Sequence, residues 1–474
     1  MNREKELVKN TAIITIGKIC TQLITFFLLP LYTSILTTEE YGVVDLLNTL
    51  VLLLVPIVTF QIEQAVFRYL VDNRNNEEQK NKIITTVIIS VFLQIIIYMI
   101  VFAIVSPLIG NKYKYFLATN VIASIISSIM LQIARGLGDN KKYATGSFIT
   151  AFVTIIFNIL FLVVFKFGAY GMLMATLIGN LTAGIYVFFT KNIYKYIKKR
   201  NFEFKLLKDL WKYSCPLIPN AISWWVFNSS DRIIVTSILG ISMNGILAAA
   251  NKFSGVFITI YNIFNMTWTE SATLHINDYD KEKFFNNTIN TMLKLFSCIC
   301  LGIIACMPFV FPLIINEKFA EAYNQIPILM VASLFNIIIG LLSVVYVAKK
   351  DTKSIAKTSV ISAIINIVIN IVLIKFIGLY AASISTLVAY LIMAVNRYID
   401  VRKRYMKIEI DKRLMLTTII AIITISIVYY INNIYINIIA LIFIIIYSYK
   451  MNIKSVKFIK NMVMSRVKRS LDGK

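Results

Sequence analysis

Apolar stretches of about twenty residues recur along the whole chain, and this recurrence limits the fold more than any other feature. A helix rising 1.5 Å per residue needs roughly 20 residues to cross a hydrocarbon core about 30 Å thick. Within that core each backbone N–H and C=O must be bonded inside the segment, which leaves helices or closed barrels. Runs long enough to cross as helices fall near 10–36, 41–70, 83–108, 115–136, 143–165, 169–190, 213–239, 241–274, 285–314, 322–347, 355–374, 378–398, 413–430 and 434–450. The expected fold class is therefore all-α, a polytopic membrane protein of about 14 transmembrane helices. Composition agrees: 58% of the 474 residues are hydrophobic, 15% are charged and the mean hydropathy is +0.75, which excludes an ordinary soluble domain.

The cysteines Cys20, Cys215, Cys298, Cys300 and Cys306 all lie in apolar stretches without a C-x-x-C, and His275 is the one histidine. Neither a zinc site nor a disulfide framework is expected from such a set, and no metal site is assigned. The polar stretch MNREKELVKN leads into the first apolar run without a small-residue cleavage site, so no signal peptide is expected to be removed.

Orientation follows from the loops. With a cytoplasmic N-terminus, the cytoplasmic segments carry 38 of the 48 Lys and Arg residues, and the opposite side carries five: Lys112, Lys114, Lys166, Lys318 and Lys375. Such asymmetry predicts cytoplasmic N- and C-termini. It also accounts for the net charge of +24 without nucleic acid, because the excess faces the anionic inner leaflet.

The chain repeats itself. LYTSILTTEEYGVVDLLNTL (31–50) lies over IVTSILGISMNGILAAANKF (234–253) at an offset of 203, matching TSIL, then Gly42 with Gly245 and Asn48 with Asn251. GAYGMLMATL (168–177) lies over GLYAASISTL (378–387) at an offset of 210. The two matches predict a six-helix lobe over 1–200 and a second over 201–403, in parallel orientation because six spans return the chain to its starting side. Residues 404–450 then form an extra helix pair. The tail 451–474 alternates Ile453, Val456, Ile459, Val463 and Val467 with Lys and Arg, as a basic amphipathic cytoplasmic helix does.

Nine charges remain at membrane depth: Lys18, Arg68, Arg232, Lys252 and Lys294 with Asp45, Glu63, Asp231 and Glu270. A charge facing lipid costs about 2.5–3.5 kcal/mol on insertion scales, so these side chains are expected to face protein or a water-filled cavity. At about 100° per residue, Thr11, Thr15, Lys18, Thr21, Gln22, Thr25 and Tyr32 share one face of the first span, with the cation at its centre. The second span aligns Asp45, Asn48, Thr59 and Glu63, with Pro56 as a source of a kink. The fourth aligns Asn120, Ser124, Ser127, Ser128 and Arg135, and the fifth Ser147, Thr150, Thr154 and Asn158. Such hydroxyl stripes either hold helices together or line a cavity. In NAISWWVFNSSDRIIVTSILG (220–240), Asn220, Asn228 and Asp231 share a side and Arg232 lies about 100° away. That pair is read either as substrate contact or as a salt-bridge pin between halves.

The runs FFLLPLYTSILTTEEYGVVDLL (26–47) and CPLIPNAISWWVFNSSDRIIVTSILG (215–240), each at the start of a half, resemble the polysaccharide or O-antigen (Wzx-type) flippases. These belong to the multidrug, oligosaccharidyl-lipid and polysaccharide exporter superfamily. The resemblance extends over nearly the whole chain. It implies a flippase moving a polyprenyl-pyrophosphate-linked oligosaccharide from the inner to the outer leaflet of the cytoplasmic membrane by alternating access, for surface polysaccharide biosynthesis. It further implies a cationic cavity between two lobes, which Lys18, Arg68 and Lys252 fit, and a polysaccharide polymerase as a downstream partner. The two helices beyond twelve resemble instead the lipid II flippases.

The residue chemistry accords with this. A pyrophosphate needs cations in a low-dielectric cavity, for which Lys18 and Lys252 are candidates, while sugars need amide and aromatic neighbours such as Gln22, Asn228, Asn262, Trp224, Trp225 and Tyr261. There is no G-x-x-x-x-G-K-[ST] loop and no soluble domain, so the chain is not expected to hydrolyse nucleotide itself; no enzymatic activity and no bound cofactor are assigned. Energy then comes from an H+ or Na+ gradient, membrane potential or downstream consumption, with Asp45, Glu63, Asp231 and Glu270 as candidate coupling acids and Arg232 as the partner of a lobe pin. The alternatives are a multidrug cation antiporter of the same superfamily, which favours a more acidic cavity, and a lipid II flippase. A membrane polymerase would need a larger external loop than the roughly ten residues available here.

The topology is directly testable. A cysteine introduced at Glu203, in the basic segment 191–212, is expected to react with an impermeant thiol reagent only from the cytoplasmic side; labelling of intact cells from outside would reverse the orientation.

Overall fold

A computed structural model describes residues 26–453 except Ile109 and Lys350. Most of the first expected span, with Lys18 and Gln22, and the amphipathic tail from residue 454 lie outside the described residues. All regular structure among the described residues is helical. The helices are α1 (Leu29–Ile35), α2 (Thr38–Thr59), α3 (Ile62–Asp72), α4 (Glu77–Val105), α5 (Lys114–Gly136), α6 (Asn140–Ile159) and α7 (Gly168–Thr190). There follow α8 (Phe204–Ser214), α9 (Ile218–Leu239), α10 (Ile241–His275), α11 (Lys281–Ile314) and α12 (Ala322–Ala348). The last four are α13 (Thr352–Ile377), α14 (Tyr380–Arg404), α15 (Lys412–Ile431) and α16 (Ile434–Met451).

Among the described residues, twelve helices are long and apolar enough to cross a membrane. They correspond to the second to sixth and the eighth to fourteenth expected spans. Helix α9, the seventh, is outside that set, since Asn220, Asn228, Asp231 and Arg232 lower its hydropathy. Local chemistry sets many of the boundaries. Thr37 and Glu40 form a reciprocal capping box at the start of α2, and Asn76, Asp139, Asp351, Asp411 and Asn433 cap α4, α6, α13, α15 and α16 with side-chain oxygens.

The second expected span breaks, though not at Pro56. That proline sits inside α2, and the helix ends four residues later, where Phe60 and Gln61 both adopt left-handed backbone at φ 52° and 57°. The Gln94 amide of α4 donates to the Thr59 carbonyl at the break, at 3.3 Å, supplying a partner that the interrupted helix does not.

By compactness the chain divides at Ala248/Ala249, within α10. In the first unit α3, α4, α5 and α8 share a core that includes Ile62, Val66, Ile83, Val87, Val121, Ile125, Leu207 and Leu210. In the second unit the extra pair α15–α16 hangs on α11 by an extended linker. Glu282, Asn286 and Asn290, spaced by four on α11, bond the backbone of Lys407, Glu409 and Asp411, spaced by two, so that one helix face pairs with one edge of an extended strand of chain. At the other end of α15 the Tyr429 ring stacks on Tyr323 at 4.1 Å, and its hydroxyl donates to the Tyr323 carbonyl at 2.7 Å.

The repeat extends beyond the two sequence matches. Gly168 and Gly378, aligned at offset 210, both have φ 57°, a left-handed turn that a residue without Cβ enters at no steric cost. Asp139 (φ −94°, ψ 71°) and Asp351 (φ −92°, ψ 69°) cap α6 and α13 from the same backbone conformation. Each also grips the end of the following helix of its half, Asp139 through Lys191 at 2.9 Å and Asp351 through Arg404 at 3.0 Å. The Ser354 hydroxyl, the Tyr405 phenol and the Ser354 N–H hold the Asp351 carboxyl well below the ordinary carboxylate range. Burial pulls the Asp139 carboxyl up, but the Lys142 N–H and the Lys191 ammonium outweigh it and leave it lowered.

A depressed carboxyl contributes stability above its unfolded pKa and loses it as the pH falls through the folded value. Asp351→Asn is therefore expected to lower the melting temperature at neutral pH. The gap to the parent should narrow as the pH drops below about 4, the ordinary aspartate pKa; a gap independent of pH would mean that the charge plays no part.

Candidate functional site

One face of α2 carries Thr38, Gly42, Asp45 and Thr49, at i, i+4, i+7 and i+11, and each meets α9 or the first turns of α10. The Thr38 and Ser242 hydroxyls lie 2.6 Å apart, Asn244 donates to the Gly42 carbonyl at 3.0 Å, Arg232 Nε donates to Asp45 Oδ2 at 2.6 Å, and the Trp225 indole donates to the Thr49 carbonyl at 2.7 Å. The glycines make this approach possible. A Cβ at Gly42 would lie 2.0 Å from the Ile241 carbonyl oxygen, and one at Gly245 would lie 2.0 Å from that of Thr38. The repeat offset of 203 exchanges the two contacts, taking 42 to 245 and 38 to 241. The crossing is therefore locally two-fold, like a symmetric dimer contact.

The acid–base pair of α9 is separated by this arrangement. Arg232 is turned to Asp45, with side chains 23% and 19% exposed, and its second arm reaches the Asn228 carbonyl at 3.1 Å. Asp231 is half-buried on α9. That contact fits one of the two roles expected for Arg232, a pin to the other half of the repeat. The Asn228 amide donates to its own helix at Trp224, 2.7 Å away, with the side chain exposed, and Asn262 and Glu270 on α10 are exposed as well, while Lys252 is half-buried.

Glu63 sits at the helix break, 6% exposed in the first turn of α3. Its Oε2 lies 2.8 Å from Thr59 Oγ1, which is also 2.9 Å from the Val55 carbonyl. The hydroxyl has one proton to give to two acceptors. Among the described residues no cation stands within ion-pair distance of Glu63. Arg68, counted at depth from the sequence, lies near the far end of α3 and is half-exposed, paired with Asp72 at 3.4 Å. The break shortens the buried run and brings it towards the surface.

The polar stripes of the fourth and fifth spans divide in two. Asn120 donates to the Leu173 carbonyl of α7 and Asn158 to the Tyr32 hydroxyl of α1, both across helices, as structural glue does. The rest converge. Ser124, Ser127, Ser128, Leu131 and Gln132 of α5, Tyr143, Ser147 and Thr150 of α6, and Asn180 of α7 line one cavity of about 330 Å³. Arg135 is not in its lining; the guanidinium is stacked on Phe67 at 4.4 Å and on Tyr143 at 5.7 Å.

One buried cation was not foreseen. Arg397, 3% exposed, lies at the end of the expected span 378–398 and is not among the nine charges counted at depth; α14 continues through it to Arg404. It donates to the Thr358 and Ser359 hydroxyls at 3.0 Å, to the Ile355 carbonyl at 3.3 Å and to Ser343, with no carboxylate in ion-pair range among the described residues. The apolar periodicity that runs on to Val401 was the signal that places it in a helix.

The Asp45–Arg232 pair is testable on stability. Removing one partner of a half-buried pair strands the other charge, at a cost that grows with burial. Arg232→Met and Asp45→Ala are each expected to lower the melting temperature in detergent, and the double variant to lose clearly less than the two together. Additive losses would rule out the pin.

A family model described as polysaccharide biosynthesis protein matches residues 7–269. Among solved structures, the lipid II flippase MurJ in an inward closed conformation aligns with a TM-score of 0.66 at 17% identity, over 94% of this chain and 99% of that one. An inward-facing multidrug resistance MATE family transporter of the MOP superfamily aligns at 0.65 and 13% identity, over 85% and 99%. An outward-facing one aligns at 0.56 and 14%, over 85% and 96%. At such identities the likeness speaks for the fold alone. No curated protein matches the chain significantly. This is a multi-pass membrane protein with the fold shared by MATE transporters and MurJ, and since the family match covers more than half of its length, the chain belongs to the polysaccharide biosynthesis protein family.

Proposed function

We propose that the protein flips a polyprenyl-pyrophosphate-linked oligosaccharide from the inner to the outer leaflet of the cytoplasmic membrane, with both termini cytoplasmic, and hands it to a polysaccharide polymerase. The family match carries the reading: a polysaccharide biosynthesis chain whose fold is that of exporters and of a lipid II flippase is suited to moving an intermediate rather than building one. Movement is by alternating access of the two halves. The pyrophosphate is met by Lys18 and Lys252, assisted by Arg68, and the glycan by neutral polar groups including Gln22, Asn228 and Asn262. Coupling to an H+ or Na+ gradient falls to the acids Asp45, Glu63, Asp231 and Glu270, among which Glu63 is buried beside a helix break. A lipid II-like substrate is the second reading, favoured by the alignment with MurJ over 94% of the chain against 85% for the MATE transporters.

The test is at Lys18, on the polar face expected for the first span. Lys18→Ala is expected to abolish export of lipid-linked sugar while leaving the melting temperature unchanged, and Lys18→Arg to keep partial export, because the charge remains while its geometry changes. A destabilised Lys18→Ala protein would make Lys18 a structural partner of an acid. Normal stability with normal export would remove it from the pathway.

A further inference from the structure

The cavity between α5, α6 and α7 has features that helix packing does not explain. Hydroxyl stripes that merely join helices in lipid bond from one helix to the next, as Asn120 and Asn158 do. The cavity's hydroxyls do otherwise. Ser147 donates to the Tyr143 carbonyl at 3.0 Å and Thr150 to the Gly146 carbonyl at 3.2 Å, each within α6. Their protons are thereby used at home, and their oxygens are left with lone pairs to offer as acceptors. The carbonyl oxygen of Gln132 is buried without a hydrogen-bond partner among the described residues. A single long contact, Asn180 to Ser124 at 3.5 Å, bridges the space. An acyl chain here would strand all of these groups, at the cost that accompanies any unmet buried polar atom.

The lining also specifies what fits. It carries no charged side chain, so a phosphate would find no counter-ion, and the nearby Arg135 is held on the faces of Phe67 and Tyr143. Neutral donors and acceptors, an aromatic side chain at Tyr143 and an apolar one at Leu131 suit a molecule that is itself neutral, rich in hydroxyls and apolar on its C–H faces. About 330 Å³ lies at the small end of ligand cavities, the size of a sugar unit or two rather than of a long glycan. From Ser124 to Gln132 the cavity follows α5 for about 12 Å, at 1.5 Å per residue, towards the helix end that carries Arg135.

We propose that this cavity binds a neutral hexose or N-acetylhexosamine of the transported lipid, so that the glycan is read inside the first unit by α5–α7, whose lining holds no cation. The proposal rests on the flippase reading. Ser147 and Thr150 accept from sugar hydroxyls, and Ser128 and the Asn180 amide donate to ring or acetamido oxygens. Discrimination comes from acceptors that go unmet when the glycan is missing.

The experiment uses the full-length protein in nanodiscs and two probes: the lipid-linked oligosaccharide extracted from cells depleted of this protein, and the same lipid stripped of its glycan by glycosidase. The parent protein is expected to bind the glycosylated lipid about tenfold more tightly than the stripped one. Ser147→Ala combined with Thr150→Val, and separately the cavity-filling Ser128→Leu, are expected to erase that preference while binding of the stripped lipid is unchanged, which also reports an intact fold. Thr150→Ser, which keeps the hydroxyl, should retain it. Equal binding of both probes by the parent, as from a merely water-filled cavity, overturns the proposal and leaves the flippase reading standing. A preference that survives in both cavity variants overturns it as well, by placing the discrimination elsewhere. Binding of neither probe defeats the flippase reading and this inference with it.

Discussion

Where α2 crosses the first turns of α10, backbone meets backbone. With a Cβ at Gly42 or Gly245 falling 2.0 Å from a carbonyl oxygen, the approach admits no side chain, and everything further along the seam takes its spacing from it. Asp45 is one turn beyond Gly42 and is met there by Arg232 of the preceding helix, α9. Trp225 closes the next turn at the Thr49 carbonyl. In lipid, where no hydrophobic gain separates one helix–helix contact from another, close approach and interhelical hydrogen bonds are the terms that decide which faces meet. This seam has both.

The same solvent explains the broken second span. A helix interruption at membrane depth is tolerated only where its freed backbone groups find partners in the protein. Gln94 supplies one at Thr59, and Glu63 and Thr59 share the space beside it. Burying a carboxylate is costly, and among the described residues no cation stands within ion-pair distance of Glu63, which is why such an acid at depth is a functional candidate by default. Arg397 illustrates the opposite solution: a guanidinium buried among neutral oxygens that occupy most of its donors.

Pyrophosphate and sugar make opposite demands on a membrane protein, since one needs charge and the other needs neutral hydrogen-bonding groups in quantity. Concentrating both in one place would let the cations collapse onto the nearest acids. In the first unit neutral groups are gathered between α5, α6 and α7, and the Arg135 guanidinium at the end of α5 is held on aromatic rings.

The sequence by itself determined the class and the approximate limits of most of the long helices, because apolar length and polar caps are local properties that the bilayer enforces segment by segment. It also exposed the repeat, through Gly42 with Gly245 and Gly168 with Gly378, each constrained by backbone geometry. It singled out Asp45, Glu63 and Arg232 as charges needing a reason. What it left open were the partners. Only the tertiary structure decided that Arg232 turns to Asp45 rather than to its neighbour Asp231, that the second span breaks at Phe60–Gln61 instead of Pro56, and that Asp139 and Asp351 are equivalent clamps despite different neighbours in sequence. It alone divided the hydroxyl stripes into glue and cavity. The physical reason is common to all four: a helical wheel gives the direction in which a side chain points, while the identity of what it meets depends on how helices distant in sequence cross.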